Sequence, residues 1–385
     1  WTSRAHQTQI ALNRLTRSQV CQILATKVEG GQVASGIIDR VAQRTDGVPL
    51  FVEEYSKMLV ESTESLVDTI DEWPGRSTAG SQAETPSIPE TLKGLLTARL
   101  DRVAGDPSVV RLAAAIGREF SLDVTKAACD RPEVELTSEL NKLVDSELLF
   151  RKGAAPPNCS YLFKHALIQD AAYDAMLRRQ RRDVHRRIAD AIESESPELI
   201  ERKPELLAHH RAEAGQQWEA AQLWAAAGSM ATERGEFVEA VQHIHHGMEA
   251  LQRVPESRER DQLEYRMNVP LGIATLSVKG YAAPELGAIY DRGTDLCEKL
   301  DDSMGQLHAK WAMGSWRIVR NEIDDSLQIG DEIMDMGRAM QDDGALMEAL
   351  FIRAIAQFYH ADFEESLASC QQSWKLYDAE RCLYH

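Results

Sequence analysis

The chain has 385 residues, 43% of them hydrophobic, and carries 43 basic against 61 acidic side chains for a formal net charge of −18. So acidic a surface repels a phosphate backbone and argues against a general nucleic-acid binder. No apolar run is long enough for a bilayer and no charged-then-apolar leader occurs, which points away from membranes and to the cytoplasm.

The length suits two or three domains. Six scattered cysteines, without a C-x-x-C pair, read as reduced thiols rather than a disulfide frame or zinc site. The chain begins at Trp1, without a methionine, and stops at His385 just after a helical pattern, so it is expected to be a piece of a longer protein.

Gln9 to Leu12 alternates as a short strand would. Thr16, with Gln19 three residues on, has the chemistry of a helix start, and Val20, Ile23, Leu24 and Val28 line one face of that helix. Gly30-Gly31 predicts its end, and Ile37, Ile38 and Val41 predict a second helix up to Arg44. In Thr45-Asp46-Gly47-Val48-Pro49-Leu50, Gly47 and Pro49 break the backbone, and Leu50 starts a third amphipathic helix through Val60. The Ser/Thr/Gly/acidic stretch from about Ser62 to Ser87 has little to bury and reads as a linker or loop.

Ile88-Pro89-Glu90 opens a helix through Leu100, and Pro107 to Ile116 gives another. Phe120 to Ala128 and Glu133 to Val144 add two short ones. Glu147 to Lys152 and Ser160 to Phe163 are β-like runs flanking the turn-rich segment from Gly153 to Asn158. Helices followed by a hairpin is the order of a winged helix. His165 then stands at the start of a helix, and Leu167, Ala171, Met176, Val184, Ile188 and Ile192 recur at helical spacing. Arg178, Arg179, Arg181, Arg182, Arg186 and Arg187, with His185 among them, are the one basic cluster.

From Glu198 onward the pattern is helices only. Gly235-Glu236-Phe237 is echoed by Gly280-Tyr281, by Asn321 to Leu327 and by His360 to Leu367, a period of about 40 residues against 34 for a tetratricopeptide repeat. Ala225, Ala226 and Gly228 allow close helix approach, and Trp218, Trp224, Trp311, Trp316 and Tyr359 are candidates to fill the seams. Such hairpins bury their apolar faces only by stacking.

Taken together, Leu12 to Leu15, Thr45 to Glu54, Ile88 to Leu92, Ala98 to Arg102, Ala115 to Phe120 and Phe163-Lys164-His165 through Tyr173 resemble bacterial STAND-type signalling ATPases. The branch they look most like places a class III nucleotide cyclase or another effector ahead of an AAA-like ATPase and a tetratricopeptide array. The resemblance implies a mainly α fold in four parts. Residues 1–62 would end the ATPase core and form its helical lid, 63–87 would be a flexible linker, 88–197 a winged-helix domain and 198–385 an α-solenoid of tetratricopeptide-like hairpins.

It also implies a nucleotide site for ATP or ADP. Gly47 and Pro49 match the lid turn whose proline packs on the adenine, and His165 matches the winged-helix histidine that reaches the β-phosphate of ADP. Read from the residues alone, Pro49 is equally a helix-start proline and His165 a capping or packing histidine. No G-x-x-x-x-G-K-[ST] occurs in the chain, so no catalytic residue is assigned; Mg²⁺ and hydrolysis belong to an ATPase core expected upstream.

The implied function is the regulatory and ligand-sensing part of a nucleotide-dependent switch, coupled to an effector such as an adenylate or guanylate cyclase. A protein or small molecule would bind the repeat surface, with ligand-induced oligomerisation as one output. Glu133, Glu135, Glu139 and Asp145 on the expected recognition helix oppose direct DNA contact. His209, His210, His243, His245 and His246 read as structural or surface residues, with no metal assigned. A repeat scaffold that binds no nucleotide, and a transcription regulator of the same class, remain as alternatives.

Overall fold

A computed structural model describes residues 14–27, 35–67, 91–153, 159–195 and 197–377. The chain divides into two compact units, one ending at Val184 and the next beginning at His185. The first unit opens with α1 (Arg17–Lys27), α2 (Ser35–Thr45) and α3 (Pro49–Val67). Thr16 and Gln19 form the expected box, the Thr16 N–H donating to Gln19 Oε1 at 2.9 Å and the Gln19 N–H to Thr16 Oγ1 at 3.4 Å. Val20, Leu24, Ile38, Val41, Phe51, Val52, Tyr55 and Met58 make their shared core, and Leu95 closes it.

Here α3 outruns the sequence reading. It continues past Val60 to Val67, so the boundary drawn at residue 62 falls within the helix. Glu61, Glu64 and Leu66 are good helix formers, which favours continuing the helix. The strand expected at Gln9 to Leu12, the helix end at Gly30-Gly31, the start at Ile88, the hairpin turn over 154–158 and the rest of the linker lie outside the described residues.

Next come α4 (Leu92–Val103), α5 (Pro107–Ile116), β1 (Glu119–Ser121), α6 (Leu122–Ala128), α7 (Glu133–Asp145), β2 (Leu149–Gly153), β3 (Cys159–Phe163), α8 (Ala166–Asp174) and α9 (Arg178–Glu195). Thr91 caps α4 by accepting from the Gly94 N–H, and Asp106 caps α5 by accepting from the Ser108 N–H at 2.8 Å. The sheet has order β1-β3-β2, all antiparallel, with Phe120 and Arg151 both opposite Tyr161. Phe120 and Tyr161 stack with centroids 5.6 Å apart over a core that includes Leu136, Leu140, Leu149 and Phe163. Phe120 therefore sits in a strand and not, as read from sequence, at the head of the helix, which starts at Leu122. Leu167, expected on the apolar face, is 45% exposed, and Ile168 takes its place in the core.

The second unit continues with α10 (Pro197–Arg202), α11 (Pro204–Glu213), α12 (Gln217–Glu233), α13 (Phe237–Leu251), α14 (Arg258–Lys279), α15 (Glu285–Leu300), α16 (Ser303–Val319), α17 (Ile323–Met340), α18 (Asp343–Tyr359) and α19 (Phe363–Leu376). Each helix from α11 packs on the next, and α12 reaches α14 as α16 reaches α18, which is a solenoid of helical hairpins. Gly235, Gly280, Asn321 and Ala361, at φ of 76°, 90°, 62° and 69°, turn the chain between the helices of successive pairs, at the places where the sequence landmarks recur. At three of them the N–H of the following residue reaches five residues back: Glu236 to Ala231, Glu322 to Arg317 and Asp362 to Gln357, at 2.8, 2.9 and 2.9 Å.

The seams are tight. A Cβ on Gly228 would lie 2.4 Å from Ile244 Cγ1, and one on Gly287 would lie 2.7 Å from the Trp316 ring. Trp224 and Trp316 are buried and Trp218 and Trp311 half-buried, as expected, but Tyr359 is 63% exposed and fills no seam.

Candidate functional site

The Thr45–Pro49 turn is dictated locally. Gly47 has φ of 68° and its would-be Cβ lies 2.4 Å from the Leu15 carbonyl oxygen, while the Leu15 N–H donates to Gly47 O at 2.7 Å. Only glycine satisfies both the left-handed backbone and the close approach. Asp46, also left-handed at φ 48°, pairs with Arg14. Pro49 is the first residue of α3, where a missing N–H is harmless, and it is exposed.

One turn further along α3 begins a charged network that sequence reasoning missed. Glu54 and Arg99 are both fully buried and paired, and Arg99 Nη2 also donates to the Ser146 carbonyl at 2.6 Å. Lys57 Nζ lies 2.5 Å from Glu147 Oε2, 3.0 Å from Glu53 Oε1 and 3.6 Å from Glu54 Oε1. Lys164 Nζ lies 3.0 Å from Glu53 Oε1 and 3.3 Å from Glu147 Oε2. Glu53, Glu54 and Glu147 thus meet Lys57, Arg99 and Lys164, a balance of charge that burial demands.

The network sets the protonation of its members. Hydrogen bonds from Lys57 and Lys164 push the Glu147 carboxyl down to about 2. Burial raises the Glu53 carboxyl, but donation from Lys57 and Lys164 outweighs it and leaves the group below its ordinary range. Glu147 is also left-handed, at φ 56°, where the chain leaves α7, so the two lysines hold a side chain whose backbone is strained.

His165 follows Lys164 directly and occupies the N-cap of α8 with an extended backbone, yet its side chain makes no capping bond. Its Nε2 is buried without a hydrogen-bond partner among the described residues. Pro49 and Glu53 are four residues apart and share a face of α3. Glu53, on the first turns of α3, meets Lys164, the residue before His165. A buried nitrogen on a half-buried ring, with no partner among the described residues and beside a lysine, is suited to receive an anionic or hydroxylic ligand.

Elsewhere the surfaces are less committed. Glu133, Glu135 and Asp145 are exposed on α7, and its Lys142 is paired with Glu139 at 2.6 Å, so that helix offers acid to a DNA groove. Of the basic cluster, Arg178, Arg179, Arg182 and Arg186 are exposed, while Arg181 pairs with Asp174 and lies 4.5 Å over the Tyr173 ring. Cys159 and Cys297 are buried free thiols and Cys370 is exposed. No helix among the described residues is long and apolar enough to cross a membrane.

His209 and His210 are joined by His185 from α9, with His185 Nδ1 2.8 Å from His210 Nδ1. Sequence reading noticed the adjacent pair but not the third ring, because nothing local links positions 25 apart. His243 and His246 instead lie against Trp224, at centroid distances of 5.4 and 5.0 Å.

No family model matches the chain. An uncharacterized protein of Rhizobium meliloti (strain 1021) is 26% identical over 302 residues; the match takes in 78% of this chain, which spans 28% of that protein's length. Among solved structures, a signal transduction ATPase with numerous domains (STAND) protein with a tetratricopeptide repeat sensor from Pyrococcus horikoshii is 11% identical at a TM-score of 0.34, over 94% of this chain and 54% of its own. BtubC from P. vanneervenii is 12% identical at a TM-score of 0.23, over 74% of this chain and 91% of its own. Likenesses at these scores fall short of a shared fold.

Proposed function

We propose that this chain is the regulatory part of a STAND-type nucleotide switch: a helical lid, a winged-helix element and a sensing array of helical hairpins. The observation that carries the reading is the latch at Lys164. It binds Glu53 of α3, one turn from Pro49, while the next residue, His165, keeps a buried Nε2 without a partner among the described residues.

In this reading ADP enters between the two elements, the adenine against Pro49 and the β-phosphate within reach of His165. The phosphate-cradling loop and Mg²⁺ belong to a part of the protein outside these residues. A protein or small molecule on the repeats shifts the equilibrium by binding the open, ATP-loaded state more tightly than the closed one. The output goes to an effector, of which a nucleotide cyclase is one candidate.

The test is nucleotide retention by the encoded full-length protein, released by denaturation and quantified. His165→Ala and Pro49→Ala are each expected to lower retained ADP at least tenfold, with the exposed control Phe150→Ala unchanged. Full retention in both variants ends the nucleotide reading and leaves the repeats as an interaction scaffold.

A further inference from the structure

Three imidazoles from two helices meet at the start of the second unit. His185 on α9 and His210 on α11 are buried, at 1% and 4% exposure, and His209 is exposed beside them. The ring centroids are 5.1 Å apart for His185 and His210, 5.7 Å for His185 and His209, and 5.3 Å for His209 and His210. One nitrogen from each ring can be chosen so that all three lie within 4.8 Å of one another. We propose that His185, His209 and His210 bind a divalent transition-metal ion of the zinc class through three imidazole nitrogens, with a fourth position open to water on the His209 side.

The chemistry of the set selects the ion. The cluster contains no carboxylate or thiolate among the described residues, and an all-imidazole set suits Zn²⁺, Co²⁺, Ni²⁺ or Cu²⁺ and not Mg²⁺ or Ca²⁺. Of the nearby acids, Asp190 and Glu193 are engaged with Arg211 at 2.8 and 2.5 Å, while Glu213 lies close enough to His209 to favour its charged form.

The geometry needs only small movements. Two nitrogens on a tetrahedral ion with bonds of about 2.0–2.1 Å stand about 3.3 Å apart. The His185–His210 pair, now 2.8 Å apart, would open slightly, and the exposed His209 ring would draw inward. A hydrogen bond between two buried histidines accounts for those two rings; it does not account for the third beside them. The ion would tie α9 to α11, clamping the entry to the repeat array independently of any nucleotide.

The experiment is a Co²⁺ titration of the untagged full chain, followed by Zn²⁺ displacement. Expected are visible absorption of tetrahedral Co²⁺ saturating at one equivalent, its loss on adding Zn²⁺, and a Zn²⁺-dependent rise in melting temperature. His209→Ala, altered at an exposed ring so that the fold survives, should weaken Co²⁺ binding at least tenfold and abolish the thermal shift. His308→Ala, an exposed histidine on α16, should leave both unchanged. No tetrahedral band, or equal binding by the His209→Ala variant, overturns the site.

Discussion

The two units are held by different kinds of contact. In the first, charged side chains join segments far apart in sequence: Arg99 meets Glu54 across 45 positions, Lys57 meets Glu147 across 90 and Lys164 meets Glu53 across 111. In the second, neighbouring helices stack on alanine and glycine faces, and the buried polar links join nearby helices, the Trp316 Nε1–H to Ala283 O across 33 positions and His185 to His210 across 25. Ser326 Oγ donates to Gly314 O at 3.0 Å and Ser366 Oγ to Ala354 O at 2.7 Å, each across 12 positions. A lesion in the first unit therefore removes a tie between distant elements, while one in the second stays near its own hairpin.

The largest test of that contrast is Glu54→Gln. It strips the buried Arg99 of its carboxylate and should cost about 3–5 kcal/mol, read by urea unfolding, with hydrogen exchange rising across α3, α4 and the α7–β2 junction together. Replacing Glu54 and Arg99 jointly with leucine and methionine should recover most of that loss. A small effect from the single change would mean that the network does not tie the unit together.

Gly228→Ala probes the other side of the comparison. Its methyl would meet Ile244 at 2.4 Å, so a loss of about 1–3 kcal/mol is expected, with faster exchange confined to α12, α13 and their neighbours. Exchange spreading through α16 to α19 would show that the array unfolds as one block.

Acid should separate the units. His210 is neutral when folded and takes a proton near 6.5 when unfolded, so the unfolded state binds more protons and stability falls as pH drops from about 6.5 toward 3. The loss should reach about 2 kcal/mol near pH 5. Glu147, held down to about 2, contributes in the first unit until pH falls below its ordinary 4.5. Between those limits, exchange should rise around α9 and α11 while the Lys57–Glu147 region stays protected. His210→Phe should flatten the acid response of the second unit.

The smallest effect separates backbone from charge at Glu147. The carboxylate is half exposed, so Glu147→Ala should cost under about 1 kcal/mol from its ion pairs. Glu147→Gly loses the same pairs but relieves the left-handed backbone, and should be more stable than the alanine variant by about 1 kcal/mol. Equal stabilities would remove strain from the description of this turn.

Much of this architecture is legible in the sequence because it is local. The Thr16 and Gln19 box, the glycine at 47, the β2 and β3 runs and the recurring turn residues follow from capping, positive φ and periodicity. The misses are non-local. β1 is three residues long and exists through its pairing with β3, so nothing in Glu119-Phe120-Ser121 distinguishes it from a helix start. Helix α3 runs past Val60 to Val67 through residues of good helix propensity. At the candidate site, Gly47, Pro49 and the strand-to-helix position of His165 were readable, but the ion network and the third histidine were not, since spacing in a chain does not report who meets across 90 positions.

The balance of three acids and three bases around Lys164 has one further consequence. A neutral cluster has almost no monopole, so it draws no anion from a distance. An anion that arrives must take Lys164 away from Glu53 and Glu147, so at this point association is an exchange in which one acid displaces another. Occupancy of Lys164 and loss of its link to Glu53 would then be the same event, while Lys57–Glu147 and Glu54–Arg99 still hold α3.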